Sequence, residues 1–339
     1  MKKEDIVYLF SMMVSKWINF GKKPLSKSFQ KILIVKLDEI GDLVNSLHVF
    51  SLLKSKYPEA ELTLLCKPFN INLLKNDPFL THVVSDIQHL TGNYDLIVEL
   101  RGDISTIKYA LKNSPDYRID RATVRWKNKF SGGHPHEVET NFQILEPLNI
   151  SRPAKFELNL YPSQNDKIVV NNYLKEKDIV SFAVIHVGAR RALKRWNILN
   201  FQILVKELSR HKKLQIVFVG DKDDDLIIKE IQKNVGIKTY SVAGIFTLLQ
   251  VSVLCNLSKI FIGNDSGPLH IAKASDAAVI GLFGPGAPTT FYPYGERASY
   301  IHHVLSCNPC DQIHCVRPEY TCMDMISINE VMEKVNLYC

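Results

Sequence analysis

Lys31-Ile32-Leu33-Ile34-Val35-Lys36-Leu37-Asp38-Glu39-Ile40-Gly41-Asp42 begins with an apolar run of strand length, turns polar, and passes directly into a helical pattern over residues 43–54. A buried strand feeding a helix through a short turn is the first half of a crossover unit. The motif recurs along the chain. Residues 62–66, 96–100, 180–186, 215–219, 259–262 and 278–283 read as further strands, with helical patterns at 201–208, 226–233 and 246–254 between them. Strands alternating with helices predict an α/β architecture built on parallel sheets. The series lapses near residues 150–165, where turn-forming residues cluster at 149–153 and 161–166. A domain boundary is expected there, with one α/β domain over 31–160 and another over 161–339. Open sheets of this kind bind ligands beyond the carboxyl ends of their strands.

The composition admits this reading and excludes others. With 339 residues, 46% hydrophobic and 23% charged, the chain is globular and long enough for two domains. Disorder, collagen and a small disulfide scaffold do not fit. Net charge is +7, but Lys2, Lys3, Lys16, Lys22, Lys23 and Lys27 face only Glu4 and Asp5 in the first thirty residues. That segment therefore holds +4, and the remaining +3 is too small for a nucleic-acid surface. No apolar run reaches the roughly 18 residues of a spanning helix, and no cleavage-type signal follows the first apolar segment. A cytoplasmic protein with reduced cysteines is expected.

Residues 1–30 read as an amphipathic helix and a basic linker. Ile6, Leu9, Phe10, Met13, Trp17 and Phe20 recur at helical spacing, and the basic stretch 21–27 follows. Such a helix lies in an anionic membrane surface or packs on the body of the protein, and both readings stand at this level.

Four segments carry chemistry. In the opening stretch, Gly41 permits a tight strand-to-helix turn and Asp42 stands at the start of the helix, either as an N-cap or as a carboxylate presented to a ligand. Between His186 and Trp196, Arg190, Arg191, Lys194 and Arg195 put four cations on the loop after a strand, suited to a phosphate or simply solvated. After the strand ending at Ile262 comes Gly263-Asn264-Asp265-Ser266-Gly267-Pro268-Leu269-His270. There Ser266 reads as an N-cap and Pro268 as a first-turn proline, leaving free backbone N–H groups as an anion site; ordinary turn chemistry is the plainer alternative. Finally Cys307, Cys310, Cys315 and Cys322 gather four of the seven cysteines into sixteen residues. Four thiolates at such spacing could hold a structural zinc or iron, or remain free. No G-x-G-x-x-G occurs anywhere, which disfavours a dinucleotide enzyme.

In this order the segments resemble the ADP-heptose:lipopolysaccharide heptosyltransferases of glycosyltransferase family 9. The resemblance runs over about residues 31–337 and rests on KILIVKLDEIGD, DLIVELRGD, HEVETN, the HVGA…KRW loop, FVGDKDD, IGNDSGPLHIAKA and LFGP. It implies the GT-B fold, two Rossmann-like domains whose parallel sheets face a central cleft, with the acceptor on the first and the nucleotide-sugar on the second. It also implies sugar transfer with inversion and no catalytic metal. Asp42 then matches the general base, and Lys194 the cation that neutralises the leaving diphosphate. Asp265, Ser266, Gly267 and His270 match donor contacts, Gly188 and Ala189 supply backbone near the phosphates, and Gly220 and Asp221 lie where the nucleoside is expected. Arg101, Asp103, His136 and Asn141 fall on the acceptor side. The implied partners are a nucleotide-sugar and a lipid-linked or lipopolysaccharide-type acceptor at the inner face of the membrane. Arg190 and Arg191 depart from the hydroxyl-rich loops of the best-known members, so another donor and acceptor, or a non-catalytic glycan-binding role, are the competing readings.

Overall fold

The computed structural model describes residues 3–22 and 28–339; Lys2, Lys23 and Lys27 of the basic N-terminal segment lie outside the described residues. The chain forms two compact units, one ending at Tyr161 and the next beginning at Pro162.

The first unit holds a five-stranded sheet of β1 (Lys31–Lys36), β2 (Glu61–Cys66), β3 (His82–Val84), β4 (Leu96–Arg101) and β5 (Tyr117–Asp120), in the order β3-β2-β1-β4-β5. All pairs are parallel, with Ile32 opposite Leu62 on one side and Leu96 on the other. The second unit holds β6 (Phe182–His186), β7 (Gln215–Val219), β8 (Tyr240–Ser241), β9 (Ile260–Asn264), β10 (Val279–Phe283) and β11 (Ala298–His302), ordered β11-β10-β9-β6-β7-β8 and again parallel. Central strands covered on both faces need unbroken apolar side chains, which is why β1, β6, β9 and β10 read as continuous hydrophobic runs. The four strands that the sequence pattern does not reveal, β3, β5, β8 and β11, are the four sheet edges. Edge strands are short or polar because one side lacks a partner.

The helical pattern over 43–54 is two helices, Ile40–Val44 and Leu47–Lys56. The break at Asn45 and Ser46 is fastened by the buried Asn141, whose Nδ2 donates to Asn45 O at 3.0 Å and Ser46 Oγ at 3.1 Å.

The N-terminal helix, Lys3–Ile18, packs on the first unit. Val14 and Ile18 join a core with Leu33, Val35, Ile97 and Ile107. Its Ser11 and Ser15 surround the fully buried Arg118 guanidinium, which also meets Glu99 at 2.9 Å and Asp120 at 3.3 Å. Beyond the helix, Asn19 Nδ2 donates to Arg118 O at 2.7 Å, and Asn19 Oδ1 accepts from Arg118 N at 2.9 Å. This side chain therefore pairs with edge strand β5 as a neighbouring strand would.

Candidate active site

Each sheet has one place where the chain reverses its direction of travel across the strands: between β1 and β4 in the first, between β6 and β9 in the second. Loops leaving the carboxyl ends of two such strands diverge and leave room for a ligand. The charged residues singled out by sequence gather at these two points.

At the first, Lys36 ends β1 with its side chain fully buried. Its Nζ lies 2.8 Å from Glu137 Oε1 and 3.0 Å from Asp38 Oδ2. Arg121 grips both Glu137 oxygens, at 2.5 and 2.6 Å. Burial alone would push the Glu137 carboxyl up, but Lys36 and Arg121 outweigh it and hold the group well below the usual range. Lys36 shows the converse: burial works against its charge, and Glu137 and Asp38 raise it nonetheless.

Asp42 sits beside this network without sharing in it. The N-cap of helix Ile40–Val44 is Glu39, and Asp42 lies in the first turn. Its carboxylate, with those of Asp38 and Glu137, forms a set whose oxygens lie within 4.8 Å of one another. Burial pushes Asp42 up to about 6, only partly countered by Lys36, while Asp38 and Glu137 add to the rise. A carboxylate tuned toward neutrality can hold and release a proton near physiological pH. The same three carboxylates could face a cation, but Lys36 and Arg121 already supply the opposing charge.

Arg101 at the end of β4 reaches Asp38 at 3.6 Å across the switch point and donates to Tyr8 Oη at 2.6 Å. Arg125 donates to the same oxygen at 3.2 Å and stacks over the Tyr8 ring at 4.4 Å. Asp103 does not pair with Arg101: it is the N-cap of helix Ile104–Asn113 in a capping box with Thr106. His136 caps helix Glu137–Leu145 through Val138 N, which leaves its neighbour Glu137 as the residue of HEVETN that enters the charged network. Lys36 at the end of a buried strand was the one sequence signal for that network; Tyr8 and Arg121 carried none.

At the second switch point, Asn264 at the end of β9 is fully buried. It donates to Val187 O at 2.8 Å and Gly188 O at 3.1 Å, and accepts from Trp196 N at 3.1 Å, so one side chain shapes the loop after β6. That loop brings Lys194 Nζ to 2.6 Å from Asp265 Oδ2. Ser266 occupies the N-cap position of helix Gly267–Lys273, but its side chain makes no capping bond. Its Oγ instead lies 3.1 Å from His186 Nδ1 and 3.0 Å from Asn264 O. His186 Nε2 in turn meets Asp224 Oδ2 at 3.3 Å. The carboxylate can only accept, so this contact calls for a proton on Nε2, while Nδ1 faces the Ser266 oxygen, whose own proton goes to Asn264 O. Burial alone would raise the Asp224 carboxyl; the His186 contact outweighs it and lowers it.

Asp224 also explains two glycines. A Cβ at Gly188 would collide with its carboxylate, and one at Gly220 would lie 2.7 Å from its Oδ2. Asp221 receives the backbone N–H of Asp223 at 2.9 Å and of Asp224 at 3.0 Å. A Cβ at Gly286 would come within 2.7 Å of Asp265 Oδ2, so the loop after β10 closes on the same carboxylate. Ala189 and His270 are buried, Gly267 is half-buried, and His270 lies on the helix one turn beyond Ser266. The residues at the ends of β6, β7 and β9 thus form one continuous rim. His186, Asp224 and Asn264 organise it; each lies inside a stretch that the sequence marks, but none of the three was singled out there as a site residue.

Cys307, Cys310, Cys315 and Cys322 line a single cavity of about 340 Å³ in the second unit. All four are free thiols, and burial, then the neighbouring sulfurs, push Cys322 up.

The family model described as glycosyltransferase family 9 (heptosyltransferase) matches residues 85–321. The chain belongs to glycosyltransferase family 9. Among the relatives of this family 9 enzyme is lipopolysaccharide heptosyltransferase 3 of Escherichia coli, 27% identical over 276 residues, covering 72% of this chain and 80% of that protein. Lipooligosaccharide heptosyltransferase 2 of Campylobacter jejuni serotype O:6 is 30% identical over 253 residues, covering 72% and 75%. The solved E. coli ADP-heptose lipopolysaccharide heptosyltransferase II has the same fold, with a TM-score of 0.72 at 19% identity over 91% of this chain and 98% of that one. The two parallel sheets are therefore those of a GT-B glycosyltransferase. Among the described residues, no helix is long and apolar enough to cross a membrane.

Proposed function

We propose that this family 9 glycosyltransferase moves a heptose from ADP-heptose to a lipopolysaccharide or lipooligosaccharide core, with inversion at the anomeric carbon. The observation that carries the chemical assignment is Asp42: a carboxylate raised to about 6 beside a neutralised Lys36–Asp38–Glu137–Arg121 network. In this mechanism the acceptor hydroxyl gives its proton to Asp42 as its oxygen bonds to the anomeric carbon. The bond from that carbon to the diphosphate oxygen breaks, and the electron pair leaves with the nucleotide. Lys194, held by Asp265, supplies the positive charge that the departing diphosphate needs. Gly188 and Ala189 present backbone to the phosphates, Gly220 and Asp221 bound the nucleoside, and Ser266, Gly267 and His270 contact the sugar and diphosphate. Arg101, held between Asp38 and Tyr8, faces the acceptor.

The donor assignment rests on the relatives' names and on the shaped rim after β6, β7 and β9. Cys307, Cys310, Cys315 and Cys322 share one cavity and thiolates are ligands for zinc or iron, but among the described residues no three of these sulfurs lie within 4.8 Å of one another, so a structural metal there would require the thiols to close in around it. The enzyme would work at the cytoplasmic side of the membrane where such acceptors are built.

Calorimetric titration with ADP, UDP and GDP, then ADP-heptose, tests the donor reading, with Lys194→Ala as control. Selective ADP binding that weakens at least about tenfold in the variant is expected for loss of a charge-assisted contact. Preference for another nucleotide would move the donor, and no binding of any would refute the transferase site.

A further inference from the structure

The N-terminal helix has two faces, and the apolar stripe that first draws notice in the sequence is the one turned away from the protein. Val7, Ser11, Val14, Ser15 and Ile18 face inward, onto the core and the Arg118 network. These contacts fix the rotation of the helix. Ile6, Phe10, Met13, Trp17 and Phe20, spaced four, three, four and three residues apart, are consequently left exposed, Trp17 by 65% and Phe20 by 87%. A contiguous row of five large apolar side chains is far beyond the scattered exposure of an ordinary monomer surface.

We propose that this outward face is a docking surface for an anionic lipid bilayer, on which the helix lies in the plane of the interface. Charge selects that occupant. Lys16 and Lys22 are exposed at the stripe, and the adjoining helix Arg121–Ser131 adds Arg125, Lys127 and Lys129. Three acids stand near these five cations: Asp5 lies 4.0 Å from Lys129, Glu146 lies 3.9 Å from Lys127, and exposed Asp116 follows Pro115, whose carbonyl accepts from Lys22 Nζ at 3.3 Å. The same adjoining helix exposes Phe130, whose ring meets Trp126 edge-on at 5.3 Å. Aromatic side chains rimmed by lysines and arginines match the headgroup boundary of an anionic leaflet. A second copy docking through the same face would set these cations against themselves. The inference does not depend on the donor or the acceptor.

The test uses the full chain with vesicles of phosphatidylglycerol or of phosphatidylcholine alone, read by co-sedimentation and by quenching of Trp17 with brominated lipid. The comparison variant is Phe10→Ser, Trp17→Ser and Phe20→Ser together, its fold checked by thermal melting and by unchanged nucleotide binding. Binding to phosphatidylglycerol that falls with salt and at least about tenfold in the variant is expected. Equal binding by the variant, or no binding by the parent chain, overturns the proposal. So does a sedimentation-velocity dimer that the triple variant abolishes, since the face would then belong to a second copy. Should the variant misfold, Trp17→Phe in the parent chain decides the matter: quenching by brominated lipid that this substitution leaves undiminished would mean Trp17 does not meet the bilayer and overturns the proposal.

Discussion

Replacing Asp42 with asparagine should stabilise the enzyme while removing its turnover, and the size of the gain follows from the site. Burial moves this carboxyl from 3.8 to about 6, so the folded protein disfavours its charge by roughly two pKa units. At about 1.4 kcal/mol per unit this is roughly 3 kcal/mol, and closer to 2 after allowance for the residual solvent contact of a half-buried group. The sign is fixed by linkage. An acid whose folded pKa lies above its unfolded value costs nothing below the unfolded pKa, and its full cost is present above the folded one. Stability of the parent protein relative to Asp42→Asn therefore declines between about pH 4 and pH 6 and stays lower above it. For a unit of this size the gap corresponds to roughly 5 °C or more in Tm. Thermal melts of both proteins at pH 8 and near pH 3.5 measure it, with the gain expected at pH 8 and absent in acid. An Asp42 that served merely to complement the helix dipole from the first turn would make the asparagine variant less stable, by up to about 1 kcal/mol. Turnover should drop by at least about 10²-fold with donor affinity kept, and the parent enzyme should lose kcat/KM below about pH 6. A variant no more stable at pH 8, a gain equal at both pH values, or near-normal turnover would refute the assignment.

Arg118→Met should be strongly destabilising, by about 3–5 kcal/mol, because it leaves Glu99 and Asp120 buried without their cation; denaturant melts would show it, and a loss under about 1 kcal/mol would mean the network contributes little. Tyr8→Phe removes the oxygen on which Arg101 and Arg125 converge but keeps the stacked ring, so stability should change by less than about 1 kcal/mol while kcat/KM for the acceptor falls through a loosened Arg101. An unaltered acceptor kcat/KM would remove Arg101 from the acceptor side. Elemental analysis of protein purified without chelator should find about one equivalent of zinc or iron, lost on replacing Cys310 and Cys315 with serine. A metal-free preparation would leave the four thiols as cavity lining.

Much of this enzyme was legible in its sequence. The seven interior strands announced themselves because a strand covered on both faces must be apolar throughout, whereas β3, β5, β8 and β11 need only satisfy one neighbour and so carry no such signature. The loops bearing Asp42, Lys194 and Asp265 were equally visible, since glycine, proline and charge at the end of an apolar run mark a turn that presents side chains. Lys36 at the end of an apolar run hinted at a buried cation, but its partner Glu137, 101 residues away, left no local trace. Neither did the linkage of Ser266 to His186 and Asp224: Ser266 stood out as a cap candidate, but nothing local joins it to a strand residue 80 positions away.

The N-terminal helix draws the line most plainly. Helical periodicity established that residues 6, 9, 10, 13, 17 and 20 share one face, because the period belongs to the backbone and is written in the order of residues; the structure leaves all but Leu9 exposed. Which way that face turns is not local information. It was settled by Arg118, a buried cation more than a hundred residues away that needed Ser11, Ser15 and two carboxylates around it. Serine hydroxyls complete the hydrogen bonding of that cation, which aromatic rings cannot do, while Val7, Val14 and Ile18 enter the core beside it, so this face turned inward and the aromatic rings turned out.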